Sequence, residues 1–206
     1  KRYQGIINED AQLLLGPQYF MLGPMYQEER KRLQPRSGKI HRILVFYGGV
    51  DATDETNKAL EAIRPLGEVD VITDVVIGHS NLHRTKIEQL AGTDPNINVH
   101  YHLPTMASLM ANASLGLGAG GYTTYERIFL GLPSVVTTVA ANQVEATKYL
   151  DNQHLLFWLG DADTVTIKNI SDKVNFMISN PNVLVEQSNK QLDLIDRGIQ
   201  GYHISK

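Results

Sequence analysis

The sequence has no cysteine, which excludes disulfide frameworks, thiolate metal sites and cysteine nucleophiles. It also lacks a basic excess. Nineteen Lys+Arg stand against 22 Asp+Glu, a formal net charge of −3, where a nucleic-acid binder ordinarily carries a basic surface. No apolar run reaches the roughly 18 residues of a membrane span, because Pro133 breaks the longest candidate around Ile128–Val136. No apolar signal region follows Lys1–Arg2, so a cytoplasmic protein is expected, and with no initial Met a fragment of a longer protein is expected. Tryptophan occurs once, and the nine tyrosines show no spacing suited to base stacking. What is present is ordinary for a globular domain with a core: 42% hydrophobic and 20% charged residues in a chain of 206.

The first forty residues differ in character from the rest. Gly5–Asn8 and Tyr19–Leu22 read as short strands, Gly16-Pro17 and Gly23-Pro24 as turns, and Gln27–Arg32 as a charged stretch. Pro35-Arg36-Ser37-Gly38 reads as a linker. From Ile40 onward β-rich runs alternate with helical ones. The expected strands are Arg42–Tyr47, one or two within Val69–Ile77, Asn98–His102, Ser114–Leu117, Ser134–Val139 and His154–Leu159. The expected helices are Asp54–Arg64, Asn81–Leu90, Met106–Ala113, Thr123–Leu130, Gln143–Leu150, Thr164–Ser179 and Asn182–Arg197. Such alternation predicts an α/β domain: a three-layer, doubly wound, Rossmann-like parallel sheet. Ligands of such sheets bind beyond the carboxyl ends of the strands.

Four loop elements stand at those ends. Gly116-Leu117-Gly118-Ala119-Gly120-Gly121 satisfies G-x-G-x-x-G, a dinucleotide fingerprint when an acidic residue closes the next strand. Here that strand runs into Ala140-Ala141-Asn142, which argues against a dinucleotide and leaves a phosphate cradle. Gly48-Gly49-Val50-Asp51 either faces an anion with its backbone N–H groups or is a tight turn in which Asp51 or Thr53 caps a helix. Thr123-Thr124-Tyr125-Glu126 fits a capping box, and the same carboxylate is placed to accept both hydroxyls of a ribose. Asn142-Gln143 opens a helix, either as its cap or as donors to a sugar or phosphate. His79 follows Gly78 at a strand end and is a candidate ligand contact, while Leu103 and Met106 could wall a flat base pocket. His79 and His83 are spaced i, i+4, and His100 and His102 share a strand face. No third ligand accompanies either pair, so no metal is expected.

The order of these elements is more specific than any one of them. GAGGYTTYERIFLGLPSVVTTVAANQ, Gly118 to Gln143, resembles the nucleotide-binding half of GT-B fold enzymes that act on UDP-sugars. Its G-G-x-T-x-x-E…G-L-P…N-Q pattern is similar to that of the peptidoglycan N-acetylglucosaminyltransferases. It is more similar to the pseudaminic acid pathway hydrolases, which release UDP from a UDP-2,4-diacetamido-2,4,6-trideoxy sugar, and to the spore-coat polysaccharide biosynthesis proteins. RILVFYGGVD (Arg42–Asp51), VVIG (Val75–Gly78), MASLMANASLGLGAGG (Met106–Gly121) and LLLGPQYFML (Leu13–Leu22) carry the likeness further. The resemblance implies the C-terminal half of a GT-B fold. Residues 1–39 are then the end of an N-terminal domain and the interdomain linker, and 40–206 the UDP-sugar-binding domain with C-terminal helices.

By that resemblance Gly48, Gly49 and Val50 face the diphosphate, Leu103 and Met106 the uracil, Gly120, Gly121, Thr123 and Thr124 the phosphates, Glu126 the ribose, and Asn142-Gln143 the sugar. The sequence departs from the family at Val50, where Ser is usual, at Tyr122, where a small residue is preferred, and at Gly23, often Arg. The family's water-activating histidine has no counterpart here, so no catalytic residue and no cofactor are expected. The implied partners are UDP or a UDP-sugar and the N-terminal GT-B domain of the same protein. The implied function is UDP binding within a UDP-sugar hydrolase, with the isolated chain inactive. The alternatives are the donor-binding domain of a GT-B glycosyltransferase and a non-catalytic nucleotide-sugar-binding module.

Overall fold

The computed structural model describes residues 5–8 and 13–200, without the side chains of residues 67–69, 199 and 200. The last six residues of the expected 40–206 domain, and 1–4 and 9–12 of the segment before it, lie outside the described residues. Strands β1 (Arg42–Phe46), β2 (Ile72–Ile77), β3 (Ile97–Tyr101), β4 (Leu115–Ala119), β5 (Ser134–Thr138) and β6 (Phe157–Asp161) form one parallel sheet in the order β3-β2-β1-β4-β5-β6. The helices are α1 (Pro24–Arg32), α2 (Glu55–Ile63), α3 (Arg84–Thr93), α4 (Ala107–Asn112), α5 (Thr123–Phe129), α6 (Ala141–Asn152), α7 (Ile167–Ser179) and α8 (Pro181–Gln200).

Side-chain alternation along the strands builds the three layers. Ile43 and Val45 of β1 join one core with Leu60 of α2, Ile87 of α3 and Val174 of α7. Leu44 and Phe46 join the other, with Tyr26 of α1, Met110 of α4, Ile128 of α5, Leu150 of α6 and Ile195 of α8. Both faces of the sheet are covered, which is why RILVF and SVVTT contain continuous buried runs and not an alternation of apolar and polar residues.

The N-terminal segment differs from the expectation. Gly5–Asn8 contains a turn where a strand was expected. Tyr19–Leu22 is not a strand either: Pro17–Tyr19 is a 3-10 turn and residues 20–23 are irregular. Pro17 has no N–H to give a sheet, and Phe20 is held by its ring, stacked on Tyr125 with centroids 4.5 Å apart. The charged stretch is helix α1, with Pro24 in its first turn and Arg30, Lys31 and Arg32 in its last, as the helix dipole favours.

The expected linker is fastened down. Arg36 donates to the carbonyls of Met110, Ala113, Leu130 and Gly131, at the ends of α4 and α5, where carbonyls lack intrahelical partners. Burial lowers its guanidinium to about 10, which leaves it charged at neutral pH. Arg30 does the same for Phe129 and Leu192 and pairs with Asp196 at 2.6 Å. Replacing Arg36 by Met strips one charged donor from several buried carbonyls and should lower the unfolding free energy by about 2–4 kcal/mol. Arg36→Lys should recover only part of that, because one ammonium cannot span both helix ends. Urea denaturation of the variants measures it, and a loss below about 0.5 kcal/mol would show that the arginine is dispensable.

Candidate functional site

The chain runs from β1 outward to β2 and β3, then returns to place β4 on the other side of β1. The connections leaving β1 and β4 therefore diverge, and the crevice between them is the usual ligand position of such a sheet. A cavity of about 480 Å³ lies there, lined by Gly48, Gly49, Val50, Gly121, Thr123 and Gln143 among others.

One wall is the β1–α2 connection. Gly48 has φ +98°, a conformation that disfavours a side chain. A Cβ added at Gly48 or Gly49 would meet nothing within 4 Å, so the missing side chains leave open space and are not filled by the protein itself. At Gly78 a Cβ would strike the Gly49 backbone, which brings the end of β2 directly behind this turn. Asp51 serves the helix: its carboxylate accepts from the amides of Glu55 (3.0 Å) and Thr56 (3.1 Å) and caps α2. Val50 is exposed at the rim.

The other wall is the β4–α5 connection, and here the fingerprint divides. Gly116 and Gly118 lie inside β4, beneath the side chain of Arg127, and only Gly120 and Gly121 belong to the loop. Gly120 backs onto the Thr147 hydroxyl and Thr138. Gly121 faces the Gln143 amide nitrogen. That amide is oriented by the Val139 N–H, which donates to Oε1 at 3.0 Å and leaves Nε2 on the glycine side. Asn142 is exposed on the first turn of α6. Thr124 is buried, its hydroxyl donating to the Ala119 carbonyl (3.2 Å) and accepting from Arg127 (3.0 Å), so it holds the loop from within.

The capping box does not form. Tyr122 is already helical (φ −54°, ψ −39°), Thr123 falls inside the first turn, and no side chain caps α5. Glu126 is thereby released from the helix end. Its carboxylate meets the phenol of Tyr26, on α1, while Oε2 is buried without a hydrogen-bond partner. Burial raises the Glu126 carboxyl above its ordinary value, with Tyr26 and Arg127 opposing the rise. Burial also pushes the Tyr26 phenol up to about 12, and the same phenol engages the Thr105 side chain and the Met106 backbone. Glu126 is thus tied to the loop that follows β3, where Met106 is half-buried and Leu103 exposed. His79 and His102 stand exposed at the ends of β2 and β3, their rings 5.4 Å apart.

The sequence reading missed Tyr26 and Arg127. Tyr26 gave no local signal. Arg127 did leave one, since the glycines alternate along β4 on the face where its side chain lies.

The glycosyltransferase family 28 C-terminal domain model matches residues 42–199. The spore coat polysaccharide biosynthesis protein SpsG of Bacillus subtilis is 26% identical over 160 residues, covering 77% of this chain and 47% of that protein. An Exiguobacterium transferase of N-acetylglucosamine, named for UDP-N-acetylglucosamine and N-acetylmuramyl-(pentapeptide) pyrophosphoryl-undecaprenol, is 33% identical over 96 residues, 46% of this chain and 26% of that one. The chain therefore spans about half the length of these relatives, or less. Among solved structures, the spinosyn rhamnosyltransferase SpnG complexed with thymidine diphosphate superposes with a TM-score of 0.59 at 19% identity, over 79% of this chain and 43% of that one. The fold is that of the C-terminal domains of GT-B glycosyltransferases. The chain belongs to the glycosyltransferase family 28 C-terminal domain family.

Proposed function

We propose that this chain is the donor-binding domain of a GT-B glycosyltransferase and that its donor is a UDP-sugar. The observation that carries the reading is the Glu126 carboxylate: buried, raised in pKa and left with an unpartnered oxygen, one helical turn along α5 from Thr123, a residue of the cavity lining. A ribose offers two adjacent hydroxyl donors to such an oxygen. The open backbone at Gly48-Gly49 and Gly121, with the Gln143 amide beside it, suits the diphosphate. On this reading Leu103 and Met106 would meet the base and Asn142 the sugar, with Gly78 packed behind the first glycine turn and His79 exposed at the end of β2.

In the transfer itself, an acceptor hydroxyl attacks the anomeric carbon, the bond from that carbon to the diphosphate oxygen breaks, and UDP leaves with the electron pair. Backbone donors fixed at the two glycine turns stabilise the charge that develops on the leaving diphosphate. The acceptor's binding site and the group that takes its proton are assigned to an N-terminal domain that completes the cleft.

The hydrolase reading uses the same pocket and differs only in the attacking group. The family match and the transferase among the relatives support transfer. With the full-length protein and a UDP-N-acetylhexosamine donor, sugar should reach an added acceptor. UDP released at the same rate with and without acceptor, with free sugar as the co-product, would favour the hydrolase.

Glu126→Gln should weaken UDP by about tenfold to a hundredfold, the value of charge-assisted bonds to the ribose, and should barely weaken 2′,3′-dideoxy-UDP. The preference of the wild type for UDP over the dideoxy compound should also fade on acidification. Because the Glu126 value is raised, the carboxylate is lost at a pH above its ordinary 4.5, while the Gln variant stays flat. Isothermal titration across pH 5–8 measures both. A variant that keeps the wild-type preference for the ribose hydroxyls would remove Glu126 from the site.

A further inference from the structure

One buried charge has no task in the scheme above. Arg127 of α5 is 2% exposed, and no carboxylate among the described residues lies within ion-pairing distance of it. Its Nη2 donates to the Ala119 carbonyl at 2.8 Å and to the Thr124 hydroxyl at 3.0 Å, while Nε has no partner. Burial lowers the guanidinium to about 10, with Tyr47 and Glu126 acting the other way, so the group is cationic at neutral pH.

The sequence makes room for this cation at some expense. A Cβ on Gly116 would lie 3.0 Å from its Cδ, and one on Gly118 would lie 2.5 Å from its Nη1. Glycine inside a central strand weakens the strand, and a buried cation on which Glu126 acts only from beyond ion-pair distance carries a further penalty that an apolar side chain on the same face would avoid. Packing alone does not explain the choice. The carbonyl that the guanidinium holds belongs to Ala119, a residue of the cavity lining. The charge therefore sits one peptide group behind the wall against which the donor's diphosphate is proposed to rest. In a water-poor interior a charge acts over such a distance with little screening.

We propose that Arg127 is a positioning residue and the counter-charge of the site: it selects the diphosphate of a nucleoside-diphosphate donor from behind the 119–123 loop without touching it. This rests on the cleft being the nucleotide site. Bound diphosphate adds negative charge that Glu126, beyond ion-pair distance, does not supply, so affinity climbs with the number of phosphates. A residue that only held the loop in shape through its forked hydrogen bonds would not be replaced by a lysine, which keeps the charge but not the fork.

The test measures dissociation constants for uridine, UMP and UDP with the wild type, Arg127→Met and Arg127→Lys. The wild type should gain steeply from uridine to UDP. Arg127→Met should weaken UDP about tenfold or more, the equivalent of roughly 1.4 kcal/mol, and change uridine less than about twofold, and Arg127→Lys should keep most of the UDP affinity. If the wild type binds no UDP, the nucleotide reading itself fails. If it binds UDP well but Arg127→Met weakens uridine and UDP by the same factor, or neither, or if Arg127→Lys loses as much UDP affinity as Arg127→Met, the counter-charge is overturned and the nucleotide reading stands. Should Arg127→Met fail to fold, the wild type decides with inorganic pyrophosphate alone. Pyrophosphate should raise the melting temperature and compete with UDP, and an absence of both effects overturns the proposal.

Discussion

Two neighbouring parallel strands whose chains leave toward opposite edges of a sheet cannot have their following loops packed on each other. β1 and β4 are such a pair: Phe46 lies opposite Gly118 at their ends, after which one chain turns toward β2 and the other toward β5. Everything at the candidate site follows from that divergence. It opens the cavity, sets two glycine turns face to face across it, and brings the start of α6 with Gln143 to its edge. The turns can stay bare because the work of holding them is done from behind, by Asp51 capping α2, by Gly78 against Gly49, and by Thr124 and Arg127 on the Ala119 carbonyl.

Arginines organise the half of the molecule that the sheet does not. Arg30 and Arg36 bind the last carbonyls of α4 and α5 and so clamp α1 and residues 33–38 across the domain. That clamp has a consequence at the site. It delivers Tyr26 to the Glu126 carboxylate and to the loop after β3. The segment before β1 is thereby linked to the carboxylate proposed for the ribose, and a shift of this segment would move that group.

Most of the sheet was legible in the sequence because β1, β2, β4 and β5 are rich in apolar and β-branched residues, are bordered on one side by glycine or proline, and are largely buried. The region before Ile40 was not, because its structure is made by tertiary contacts. Phe20 is placed by Tyr125, and α1 by two long-range arginine clamps, none of which has a local pattern. Two motifs were misread for a related reason. Thr123 and Glu126 have capping-box spacing, but Tyr122 starts the helical conformation one residue early and shifts the frame. Gly116 and Gly118 complete a G-x-G-x-x-G, yet they serve an arginine roughly ten residues further on. Spacing left Glu126 divided between cap and ribose. The fold removed the cap, and the free oxygen is what now argues for the ribose.

The central claim is that one crevice holds a nucleoside diphosphate with its ribose on Glu126 and its phosphates between the two glycine turns. A crystal structure of the chain with UDP tests it most directly. The ribose hydroxyls should lie within hydrogen-bonding distance of Glu126 Oε2, the uracil beside Leu103 and Met106, and the diphosphate between Gly48-Gly49 and Gly121, near Gln143 Nε2. UDP bound away from this crevice, or bound within it with the ribose turned from Glu126, would contradict the account.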